Sequence, residues 1–167
     1  MPPAKRICAG QRCITKTQRP DGPQGEGGPS APPSPARLLA RFTSVTSLAE
    51  ASLSAIERRV LARFVQLVGA EFGDDLRAVW LYGSRARGET PGPESDVDVL
   101  VVSERAGWDE RLRVIELVDQ AAKAEGANPA FFAVHLYDPA HVSQRRSIHS
   151  FFFQEVDRDK IVLVGEP

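Results

Sequence analysis

The sequence predicts an α/β (α+β) domain, with a small mixed sheet of about four strands and helices packed on one face. Three observations carry this reading. Four short apolar runs, at 78–82, 99–102, 131–137 and 161–164, have strand length. Two longer segments, 53–72 and 108–124, repeat apolar residues at helical spacing. The joints between them collect Gly, Pro and Asp, which favour turns.

Taken in order, residues 36–42 suit a short helix, and residues 37–51 are otherwise ambiguous. The helix at 53–72 opens on Ser54-Ala-Ile-Glu57, a capping-box pattern. Leu53, Ile56, Val60, Phe64, Leu67 and Val68 give it an apolar face, and Gly73 a stop. Asp74-Asp75 read as a turn before the strand at 78–82, where Trp80 and Tyr82 share a core-facing side. Pro91-Gly92-Pro93 forces a turn, so any helix after Ser84 lasts about one turn. The helix at 108–124 has Asp109 and Glu110 in its first turn, and Leu112, Ile115, Val118, Ala121 and Ala122 as its apolar face. Gly126 ends it before the strand at 131–137. Asp138 starts a turn or short helix, and a helix follows over 147–156 with Phe151–Phe153 as core. Residues 157–159 make a turn before the last strand at 161–164.

Composition divides the chain into a tail, 1–36, and a domain, 37–167. The tail holds five Lys/Arg against Asp21 and Glu26, a net +3, which leaves −4 on the rest of a chain whose total is −1. It also has eight of the thirteen prolines and few large apolar residues, so it is expected to be disordered. Cys8 and Cys13 are the only cysteines and fall short of the four ligands a structural zinc site needs. No signal-peptide core and no membrane span is visible, which points to the cytoplasm. The charge of the domain argues against nucleic acid, whose backbone calls for Lys/Arg contacts.

The chemistry concentrates in 79–102, VWLYGSRARGETPGPESDVDVLVV. Alternation on a strand points Asp96 and Asp98 the same way, about 6–7 Å apart. At an effective dielectric near 20 two such anions repel by about 2.5 kcal/mol, before desolvation. Oxygen-only ligands in this arrangement suit Mg²⁺, which binds through one or two carboxylates plus substrate phosphates. At the other end Gly83 permits close approach of a ligand, and Ser84 offers a hydroxyl. The Ser84 and Arg85 N–H groups face an anion if a helix starts here, and Arg85 and Arg87 add charge-assisted donors. A phosphate cradle beside a metal site fits phosphoryl or nucleotidyl transfer.

Gly83-Ser84, eleven residues, then Asp96-Val97-Asp98 between two strands resembles the signature of the DNA polymerase β-type nucleotidyltransferases. GSRARGE and SDVDVLVV are similar in particular to their small stand-alone branch, the minimal nucleotidyltransferases. The closing RDKIVLVG is similar to the end of many of them. The likeness is sharp over 79–102, looser over roughly 52–166, and absent from the first 36 residues.

The resemblance implies the polymerase β-type fold and Mg²⁺-dependent transfer of a nucleoside monophosphate, AMP from ATP, to an acceptor hydroxyl. It makes Asp96 and Asp98 the catalytic metal-binding pair, and gives Gly83 and Ser84 the β- and γ-phosphates with Arg85 or Arg87 helping. It also implies a third carboxylate on the strand at 131–137. None is present: Ala133 occupies the expected position, and His135, a candidate base or ligand, lies two residues on along the same face. Small members of the branch resemble antitoxins that modify a tyrosine of a HEPN-type toxin, which places the acceptor on a partner protein. Two alternatives stand beside this reading. One is a catalytically weakened or inactive binding module. The other is transfer to a small molecule of the aminoglycoside kind.

Overall fold

A computed structural model of the protein describes residues 45–92 and 95–165, with side chains from Leu48 onward. These residues fall within one compact unit, Ala31–Pro167. The tail, the short helix expected at 36–42, and Pro93 of the Pro-Gly-Pro turn lie outside the described residues.

Helix α1 (Val45–Glu50) leads into α2 (Ala55–Phe72). Ser54 caps α2: its hydroxyl accepts from the Glu57 N–H at 3.2 Å, and the Glu57 carboxylate accepts from the Ser54 N–H at 2.6 Å. The helix stops at Gly73, whose φ of +52° suits glycine. A 3₁₀ turn (Gly73–Asp75) feeds β1 (Leu76–Tyr82), which runs directly into α3 (Gly83–Ala86), a single turn as its Pro-Gly-rich sequel demands. Then come β2 (Val97–Ser103), α4 (Trp108–Ala124), β3 (Phe132–Tyr137), α5 (Pro139–Ser147), α6 (Phe151–Asp159) and β4 (Ile161–Gly165).

The four strands form one mixed sheet in the order β3-β2-β1-β4. β1 is antiparallel to both β2 and β4, whereas β2 and β3 are parallel and joined through α4. Alternation splits each strand between two cores. Val79, Leu81, Val97, Val99 and Val101 pack under α2 and α4 with Val60, Phe64, Val114 and Leu117. Ala78, Trp80, Leu100 and Val102 pack on the opposite face with Val142, Phe153 and Val156 from α5 and α6. Helices therefore lie on both faces, not on one. The amphipathic segments at 55–72 and 108–124 account for only the first layer.

Four local expectations change. The buried face of α4 is Val114, Leu117, Val118, Ala121 and Ala122, while Leu112 and Ile115 are 45% and 51% exposed. The helix has more apolar positions than the sheet can cover, and contact with α2 and β3 selects the set rotated away from Leu112. The helix expected at 147–156 begins only at Phe151: Ser147 ends α5, and the chain breaks at His149 (φ +53°), where the Ser150 N–H returns to the Arg145 carbonyl at 3.0 Å. The helix from Phe151 continues through Asp159, so residues 157–159 are its last turn. Of its three leading phenylalanines only Phe153 is core; Phe151 is 77% exposed and Phe152 half-buried, because consecutive helical residues point about 100° apart.

Candidate nucleotide and metal site

Asp98 sits on β2 directly between two strands, opposite Tyr82 of β1 and Ala133 of β3. It lies on the α5–α6 side of the sheet, where alternation also places Ala133, His135 and Tyr137. Asp96 stands one residue before β2 and is exposed. The carboxyl of Asp98 is half-buried, and burial pushes its pKa up. The neighbouring Asp96 charge adds to that rise, while His135 and Arg87 oppose it. The same surroundings push up the Tyr82 hydroxyl: burial first, then the charge of Asp98.

Gly83 brings the two halves of the motif into contact. Its φ is +78°, and a Cβ placed there would stand 2.7 Å from Asp98 Oδ2. Any larger residue would be strained in backbone and would collide with the carboxylate. Ser84 closes the same gap from the other side, its hydroxyl 3.4 Å from that of Ser95, next to Asp96. Gly83, Ser84, Asp96 and Asp98 are thus brought together, as the spacing implies.

The two arginines part company. Arg85 is 6% exposed and turns back under α2: Nη1 donates to the Ser52 carbonyl at 2.9 Å, and Nη2 pairs with Glu57 Oε1. Its Nε has no partner among the described residues. Arg85 therefore fixes α3 to the start of α2, and its guanidinium is committed away from the loop expected to bind nucleotide. Glu57 serves twice, capping α2 with one oxygen and neutralising Arg85 with the other.

Arg87 stays near the surface. Nε donates to Glu89 Oε1 at 2.6 Å and Nη1 to Asp159 Oδ2. Its charge is felt at Asp98. The sequence alone makes Asp159 a turn residue; in the fold it ends α6 and its partner lies 72 residues upstream, which no local pattern could reveal.

His135 is exposed, opposite Leu100 on the outer strand β3. Its ring stacks on Tyr137 with centroids 6.3 Å apart and meets the edge of Phe152 at 6.1 Å. Among the described residues no cluster of three or more His, Cys, Asp or Glu could hold a metal ion. The site offers two carboxylates, with oxygen donors only. That set fits Mg²⁺ completed by phosphate oxygens, which binds in this way without a protein cage. Among the described residues no helix is long and apolar enough to cross a membrane.

No curated protein matches the sequence significantly. Among solved structures, a mutant of the toxin-antitoxin MntA-HpeT is similar at 19% identity and a TM-score of 0.42, covering 63% of this chain and 73% of that one. A toxin-antitoxin solved with AMP-PNP is similar at 22% identity and a TM-score of 0.42, over 63% and 73% of the two chains. The family model described as a nucleotidyltransferase domain matches residues 61–126, which include Gly83, Ser84, Asp96 and Asp98. Over these 66 of its 167 residues the chain is similar to a nucleotidyltransferase domain.

Proposed function

We propose that the protein is a Mg²⁺-dependent nucleotidyltransferase that moves AMP from ATP to an acceptor hydroxyl on a partner protein, a tyrosine of a HEPN-type toxin. The observation that carries the transfer reading is the close approach of Gly83 to the Asp98 carboxylate, which leaves no room for a Cβ. It sets a loop that a phosphate can approach against a pair of carboxylates that suits a hard cation. The acceptor follows from the resemblance of 79–102 to the stand-alone branch.

Asp96 and Asp98 would hold the metal, which when bound stabilises negative charge on the attacking and leaving oxygens. Gly83 lets the β- and γ-phosphates come close to the backbone, Ser84 offers them its hydroxyl, and Arg87 a charged donor. The acceptor oxygen forms a bond to the α-phosphorus as the bond to the bridging oxygen breaks, and pyrophosphate leaves. The acceptor proton passes to water or to His135, which shares the face of Asp98.

One observation favours a second reading. Ala133, which lies opposite Asp98 in register, supplies no acid where the family usually has one. A non-catalytic module would bind Mg²⁺-ATP without releasing pyrophosphate.

The test is incubation of the protein with Mg²⁺, α-labelled ATP and its candidate partner, beside the Asp96→Ala/Asp98→Ala variant. Loss of several kcal/mol of charge stabilisation corresponds to a fall in rate of about a thousandfold or more, with the variant still folded. Label transferred equally by both proteins would sink the assignment. ATP bound without any pyrophosphate released would favour the module.

A further inference from the structure

Asp159 is a nearly buried carboxylate that the transfer scheme leaves unused. Its side chain is 4% exposed at the last position of α6. A buried carboxylate is unfavourable unless it is paired. Arg158, the preceding residue, already pairs with it, its Nε donating to Asp159 Oδ1 at 2.7 Å. The second partner is not local. Arg87, next to the α3 turn that begins at Gly83, reaches Asp159 Oδ2 through Nη1.

Arg87 is thereby gripped by two carboxylates. Glu89 takes Nε at 2.6 Å, Asp159 takes Nη1, and no described residue accepts from Nη2. A guanidinium is planar, so bonds at both Nε and Nη1 set the direction of the remaining N–H groups. A free arginine at the surface samples many rotamers and loses that freedom on binding. An arginine already oriented loses less, and its fork geometry matches phosphate oxygens. The Arg87 charge is also felt at Asp98.

We propose that Asp159 is a positioning residue of the nucleotide site: with Glu89 it orients Arg87 so that Nη2 meets the β- or γ-phosphate of the bound nucleotide. This rests on the nucleotidyl-transfer reading and assigns a role to the end of the last helix. The competing account is a plain structural ion pair that fastens α6 to the α3 turn.

The two differ in what nucleotide they affect. AMP shares the base, sugar and α-phosphate of ATP but lacks the phosphates Arg87 would touch. The affinities of the full-length protein for ATP and for AMP, each with Mg²⁺, are measured by calorimetry for wild type, Asp159→Asn, Arg87→Gln and the double variant. Asp159→Asn is expected to weaken ATP about tenfold, which is one charge-assisted contact misplaced, and AMP by less than about twofold. The double variant should bind ATP no more weakly than Arg87→Gln alone, since both changes remove one interaction. Equal weakening of ATP and AMP, or unchanged ATP affinity in a folded Asp159→Asn, would overturn the role. If Asp159→Asn does not fold, Arg87→Lys decides. It keeps the charge but cannot use both carboxylates as an oriented fork, and unchanged ATP affinity in that variant overturns the proposal. Absence of ATP binding by wild type would instead remove the nucleotidyl-transfer reading itself.

Discussion

The two faces of the sheet are built on opposite terms. Under α2 and α4 the strands present Val79, Leu81, Val97, Val99 and Val101, all fully buried. On the other face the same strands present Trp80 and Leu100 to α5 and α6, but also Asp98, Ala133 and His135, which those helices leave half-covered or exposed. β2, like β1, serves both faces through its alternation. The difference shows how a domain of this size carries a charged site. One layer is dry throughout, and the second, with a core of its own, is left incomplete where the chemistry is.

The comparison breaks first on the dry side. Phe64 is fully buried between α2 and the sheet. Phe64→Ala should cost about 3–5 kcal/mol of folding stability, as removal of a buried aromatic does. Urea unfolding measures this, and the fraction still folded should bind ATP as wild type does. A loss of affinity as large as the loss of stability would show that the two faces are not separable.

A smaller effect tests the open side. Ala133→Asp places a third carboxylate opposite Asp98, on a neighbouring strand about 4.8 Å away. At an effective dielectric near 20 the unscreened repulsion is about 3 kcal/mol, so a loss of about 1–3 kcal/mol is expected without metal. Mg²⁺ should reverse that loss and raise the rate of transfer. Thermal melting with and without Mg²⁺ checks the sign. A variant destabilised equally in both conditions would show that residue 133 and Asp98 do not face a common cation.

What could be read in advance follows the same division. The motif at 79–102 is short and self-contained, so its spacing alone placed Gly83, Ser84, Asp96 and Asp98 together. The capping box of Ser54 and Glu57 is equally local. Arg85 and Arg87 could not be told apart, because both are arginines beside the same glycine. One turn of helix sends side chains two residues apart to nearly opposite sides, and only the fold determines which meets Glu57. Asp159 was hidden for a different reason: a surface-type Arg-Asp-Lys sequence says nothing of a partner 72 residues away. The α5–α6 layer is weakly marked in the sequence because its buried apolar residues are few and dispersed. Val142, Phe153 and Val156 make no helical stripe as continuous as that of α2.

The smallest effect belongs to the ion pairs that edge the open face. Asp157 on α6 accepts from Arg146 Nε at 2.9 Å and Nη2 at 2.6 Å, and from Lys160. Both cations also lie over the Trp80 ring, at 5.4 Å and 4.8 Å from its centroid. Burial pushes the Asp157 carboxyl up, but the bonds from Arg146 and Lys160 outweigh it, and the net shift is downward. A carboxylate lowered in the folded state adds stability above its unfolded pKa, near 4, and loses it as pH falls through the folded value. Asp157 is about one-third exposed, so solvent screening limits the effect. Asp157→Asn should therefore cost about 0.5–1 kcal/mol at pH 7. The gap from wild type should close as the buffer is taken below the ordinary carboxylate range. Urea unfolding of both proteins across that range isolates the contribution, because every other carboxylate titrates alike in the two. A gap that stays constant into strong acid would mean that the substituted amide fails by packing, and that the open face is held at this edge by shape and not by charge.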